Sequence, residues 1–211
     1  MAANVVASSN RSGALRHGEV IETSTVGFLA ESDRLHHLPQ LGELVQARID
    51  DDLTAYAVVS FGETSGIDPG RRAVRRGSPD SADNDVYARH PELDHVLRTI
   101  FRTAAVGYAQ DGRIRHALPP VPVPLHFGVQ PCDEDDVRAF CERTDYLASL
   151  LAYRGEVAAE QLVAAHLRWV DATLDDDHEW LGRACRTLAR LMKRDYDRLV
   201  ILLESIDPDN S

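Results

Sequence analysis

The chain is almost without lysine: of its 23 basic residues only Lys193 is lysine, and all the others are arginine. A Walker-type phosphate loop needs a lysine beside Gly-rich backbone amides. Lys193 lies in LARLMKRDYD, with no glycine near, so nucleotide hydrolysis of that kind is excluded. Cysteine is scarce as well. Cys132, Cys141 and Cys185 are odd in number, and no two have metal-ligand spacing. They read as small buried apolar residues in a reducing compartment. No run of about 18 apolar residues occurs, so no membrane-spanning helix is expected. Residues 1–17 lack the continuous apolar stretch of a signal peptide and read as a flexible leader, with the cytoplasm as the expected location. HExxH, H-x-x-H and G-x-S-x-G patterns are all missing, so neither a metal nor a serine nucleophile is expected. A net charge of −11 argues against nucleic-acid binding over the whole surface.

What the chain does contain is organised around Gly18–Gly62. GEVIETSTVGFLAES, GELVQARI and TAYAVVSFGE are apolar-alternating runs separated by Gly, Pro and Asp, the pattern of a small antiparallel β-barrel. The first is read as one long strand, Glu19 to Ala30, bent at Gly27. The second runs from Glu43 to Ile49. The third, Thr54 to Phe61, places Ala55, Ala57, Val59 and Phe61 on one face and Tyr56, Val58 and Ser60 on the other. Glu63 to Asp85 reads as a long surface loop. Pro91 to Arg102 reads as a short helix carrying Leu93, Val96, Leu97 and Ile100. A hairpin follows, Thr103–Ala109 returning at Arg113–Leu118 around Asp111-Gly112. The four prolines within 119–124 then form a stiff extended exit from the barrel.

From Asp133 the period changes to helical. DEDD at 133–136 suits a helix N-terminus, as does Asp175-Asp176-Asp177. Val137, Phe140, Cys141, Leu147, Leu150 and Leu151 make one stripe. Leu162, Ala165, Trp169 and Val170 make a second, beyond a break at Gly155. A third opens at Asp175-Asp176-Asp177 and runs through Trp180 to Leu203, nearly thirty residues long. The fold class is therefore α+β: a leader over 1–17, a barrel over 18–130 with a loop/helix insertion at about 63–102, and a helical bundle over 131–211.

Three features offer binding chemistry. Arg71, Arg72, Arg75 and Arg76 form a basic cluster that can neutralise phosphates or grip an acidic partner, or else stand solvated beside Asp80, Asp83 and Asp85. GETSGIDPG (62–70) resembles a phosphate-cradling loop but has no lysine, and reads as a barrel loop. His36-His37 and His166 lack chelating spacing, and His166 falls on the core side of its helix.

GEVIETSTVGFLAE, LPQLGELVQAR, AYAVVSFGETSGIDPGRRA and FRTAAVGYAQDGRIRHALPPVPVPLHFGVQPC together resemble the HAS-barrel. This is the N-terminal barrel of HerA-type DNA-translocating ATPases, related to that of the ATP synthase α and β subunits. With RTLARLMKRDYDRLVILLESI the chain resembles stand-alone bacterial HAS-barrel proteins, a likeness covering about residues 18–205. The resemblance implies a non-catalytic assembly or docking protein, with no cofactor and no catalytic residue. Its implied partner is a hexameric ATPase or nuclease of the DNA-processing machinery, and it admits a homo-oligomer. The alternative is a nucleic-acid-binding barrel that uses the arginines at 71–76.

Overall fold

The computed structural model describes residues 16–68, 85–175, 177 and 179–206. Its centre is a closed six-stranded antiparallel barrel. The strands are β1 (Gly18–Ser24), β2 (Gly27–Ser32), β3 (Leu44–Arg48), β4 (Leu53–Gly66), β5 (Leu97–Gln110) and, after a short β6 (Arg113–Arg115), β7 (Gly128–Pro131). They are ordered β2-β1-β7-β3-β4-β5-β6, and β2 pairs again with β5 to close the ring. Closure removes the open edges that a sheet of this size would otherwise expose. The short β6 stays outside the ring, paired only with the far end of β5.

Alternation along the strands makes two cores rather than one. Ala55, Ala57 and Val59 of β4 point into the barrel with Val20, Phe28, Val45, Ala47, Phe101 and Val129. Tyr56 and Val58 of the same strand, with Leu44, Ala104 and Val106, point outwards into a second core built by the helices. On β4 the alanines leave room in the lumen for Phe28 and Phe101, and the larger Tyr56 meets the helices. Phe61 leaves this alternation, because the register with β5 shifts between Val59 and Phe61. The extra residue, Ser60, forms a bulge that takes Phe61 out of the barrel lining.

The expected long first strand is two strands, a hairpin turning at Thr25 and Val26 with Gly27 at φ 154°. Gly27 thus marks the exit of a turn, not a bend in one strand. The expected helix at 91–102 is reduced to a 3-10 turn at Pro91–His95, and Leu97 onwards is strand. There β5 pairs with β4 from Gly66↔Leu97 to Phe61↔Arg102, and a full ladder outweighs a weak helical period. The paired ends, Phe61–Gly66 and Leu97–Arg102, form an arm continuous with the barrel. The proline-rich stretch does not leave the barrel. Val123 is buried in the lumen, and Val20 exchanges backbone hydrogen bonds with Phe127 and His126 before the chain re-enters as β7. The exit falls after Pro131.

The described residues hold six helices: α1 (Asp85–Arg89), α2 (Glu134–Cys141), α3 (Leu147–Leu151), α4 (Ala159–Thr173), α5 (Trp180–Leu191) and α6 (Tyr196–Ile206). Asp133 caps α2 as the acidic run suggested. Its side chain accepts from the Asp136 amide at 2.9 Å, and the Asp136 carboxylate accepts from the Asp133 amide at 3.3 Å. Asp177 receives Arg183 at 2.7 Å and stands before α5. The long third helix is broken into α5 and α6 at Met192–Asp195, where Asp195 bonds both the Met192 carbonyl and the Leu199 amide. The break lets Leu188 and Met192 on one side and Leu199 and Leu202 on the other reach the same core. None of these helices is long and apolar enough to cross a membrane.

Candidate functional site

One relay of buried polar groups holds the helices on the barrel. Gly42, at φ 88°, brings its carbonyl to 2.7 Å from Nδ1 of His166 on α4. His166 Nε2 lies 2.9 Å from the Tyr146 hydroxyl, and that oxygen lies 3.3 Å from Cys141 Sγ. Burial lowers the His166 pKa to about 4, so the ring is neutral. Nδ1–H then donates to the Gly42 carbonyl, Nε2 accepts from the tyrosine, and the cysteine thiol donates to the tyrosine oxygen. Burial pushes the Cys141 thiol up to about 12 and the Tyr146 phenol well above its ordinary range. A thiol in that state is not a nucleophile. Cys132, likewise buried, has its pKa raised well above the ordinary value by desolvation. Cys185 is half-buried on α5.

Two surfaces of the described residues offer binding chemistry. The first is the end of the β4–β5 arm. Leu38, from the loop before β3, lies over Gly62 of β4, and its side chain occupies the space a Cβ there would need. His36 donates its amide to Thr99 Oγ1 at 2.8 Å and stacks edge-on against Tyr87 of α1 at 4.8 Å. Ile67 bonds through its backbone to Val96 at the tip. Leu38, Tyr87, Val96 and Ile67 are all exposed, between 38% and 49%. Ile67 and Val96 are adjacent at the tip, whereas Leu38 lies further down the arm over Gly62.

The second is a cleft of about 640 Å³ at the barrel seam. Its floor is a cross-strand row, because Glu22 is opposite Leu29 and Leu29 is opposite Arg102. Their neighbours Phe28 and Phe101 point into the lumen, so this row faces outwards. The roof is the α3–α4 connection, Ala152 to Glu156. Arg102 Nε lies 3.1 Å from Glu156 Oε1, but off the angle of a hydrogen bond, so that buried N–H has no hydrogen-bond acceptor. Tyr153 donates its hydroxyl to Glu156 Oε2 at 3.1 Å. Thr23 Oγ1 is also buried without a partner, but Thr23 is opposite Phe28 and so lies on the lumen face of the strand.

Arg71, Arg72, Arg75 and Arg76 lie outside the described residues. The flanking strand carries arginines that the sequence did not single out, Arg98 and Arg102, four residues apart on one face of β5. Arg98 Nε is buried without a partner, and among the described residues Arg98 makes no ion pair. Thr23, Arg102, Tyr153 and Glu156 likewise carried no signal in the sequence. Only the break at Gly155 marked their loop, and only strand pairing brings Glu22, Leu29 and Arg102 into one row. No family model matches the chain, and no curated protein matches it.

Proposed function

We propose that this protein is a non-catalytic docking piece, in which a HAS-like barrel and a C-terminal helical bundle attach to a hexameric DNA-translocating ATPase or a related nuclease. The observation that carries the reading is the exposed apolar end of the β4–β5 arm. The fixed relay between helices and barrel supports it, because a rigid body holds that surface in one orientation and lowers the ordering cost of association. The resemblance to HAS-barrels supplies the class of partner, and the same surface admits a second copy of the chain. Affinity purification from the native host with native mass spectrometry is the test. A stoichiometric ATPase or nuclease is expected, lost on Ile67→Glu combined with Val96→Glu while far-UV circular dichroism stays unchanged. Recovery of neither enzyme would sink the reading.

A second reading has one observation in its favour, the pair Arg98 and Arg102 on one face of the strand that follows the 71–76 cluster. A nucleic-acid surface there predicts binding to single- or double-stranded DNA that weakens steeply with salt. Alanine at Arg71, Arg72, Arg75 and Arg76 would abolish it, and DNA retained equally by that variant would discard it.

A further inference from the structure

We infer that the seam cleft is a binding site for a small aliphatic monocarboxylate, independent of the docking surface on the arm. Its volume, about 640 Å³, is that of small-molecule sites. Leu29, Ala105 and Leu118 give it an apolar lining. Beside Leu29 stands Arg102, whose side chain is 41% exposed and whose Nε–H lacks an acceptor.

The group already beside Arg102 is itself a carboxylate, that of Glu156, badly angled at 3.1 Å. An arginine fork binds a carboxylate best side-on, through two parallel N–H···O bonds. A free ligand can take that geometry where the tethered glutamate does not. Ion pairs this exposed hold weakly, so displacing Glu156 costs little. The charged residues of the cleft, Glu22 and Glu156 against Arg102 and Arg154, cancel. A single negative charge is therefore tolerated, whereas a phosphate dianion meets two glutamates, and an ammonium would leave the arginine N–H unmet. The ligand is a hydrocarbon chain ending in one carboxylate. Its tail lies over Leu29 and Leu118 and its head lies on Arg102, with Glu156 released into solvent.

Titration calorimetry of the full chain with octanoate tests this, with octan-1-ol and octylamine as controls. Octanoate is expected to bind at least tenfold more tightly than either control. Arg102→Gln should weaken octanoate at least tenfold, and Glu156→Gln, which removes the competing carboxylate, should tighten it. Ala152→Phe, at an exposed position on the roof, should block the cleft and abolish binding. If Arg102→Gln fails to fold, the other two variants decide. No octanoate binding by the folded wild type at millimolar concentration would overturn the assignment. So would equal affinity for octan-1-ol, or an affinity unmoved by Glu156→Gln and Ala152→Phe.

Discussion

At Gly42 the backbone takes a φ of 88° so close to α4 that an added Cβ would lie 2.5 Å from the carbonyl carbon of Ala165 and the amide of His166. Both neighbours are helix backbone and neither can yield. Gly42→Ala should therefore cost about 3 kcal/mol or more, by strain and lost contact together. Urea denaturation of the two proteins measures it, and a loss under about 1 kcal/mol would contradict the close contact. His166, on the other side of that contact, has a folded pKa of about 4 against an ordinary 6.5. Between those values the unfolded chain binds a proton that the native chain refuses, so stability is lost as pH falls through the window. The full shift is worth about 3 kcal/mol. The stability of the wild type should fall by up to that amount between pH 7 and pH 4. His166→Gln, which keeps an amide donor for the Gly42 carbonyl, should fall by clearly less. Parallel slopes for the two proteins would remove His166 from the account. The sequence placed His166 on the core side of its helix. It did not reveal the Gly42 carbonyl as the acceptor, since the two are 124 residues apart and meet only when α4 lies on the barrel.

Elements were legible where one period ran long and a terminus carried its own chemistry. The third-strand alternation held from Ala55 to Val59, and DEDD at 133–136 became a capping box. Asp133→Ala should cost about 1 kcal/mol, the usual worth of such a cap. Thermal denaturation reads this, and Asp133→Asn should recover most of it because the amide oxygen still accepts from the Asp136 backbone. Reading failed where pairing overrode local pattern. Leu97 and Ile100 fit a helical stripe after Pro91, but Thr99, Ile100 and Thr103 are β-branched, and β4 offers a ladder along the whole stretch. The β1–β2 turn escaped notice because Ser24-Thr25-Val26-Gly27 is continuous in character with the strands it joins. Its closure rests on the Ser24 hydroxyl, which donates to the Gly27 carbonyl at 3.0 Å. The cleft was illegible because its chemistry is distributed over β1, β2, β5 and a loop, with no two of its key residues at motif spacing.

As a whole, the molecule has a barrel lumen and a helix-covered outer wall separated by the thickness of one strand. Tyr56 and Val58 serve the wall while Ala55, Ala57 and Val59 serve the lumen. Neither core can come apart without exposing β4 to the other. The barrel and the helices should therefore unfold in one transition. Fluorescence of Trp180, fully buried among the helices with its indole N–H donating to the Cys141 carbonyl at 2.9 Å, reports one side. Far-UV circular dichroism reports both. The two curves should superimpose, and a helical phase lost ahead of the barrel would show the two cores to be separable.

That shared strand also limits how such a chain can diverge. Inserting or deleting a single residue between Leu53 and Tyr56 would exchange inside for outside downstream, sending the tyrosine into the filled lumen and leaving alanines beneath the helices. Substitution is open to this segment but a change of length is not. Drift in length is instead left to the stretch beyond the arm, between Gly66 and Leu97, where added residues need not disturb the phase of either strand.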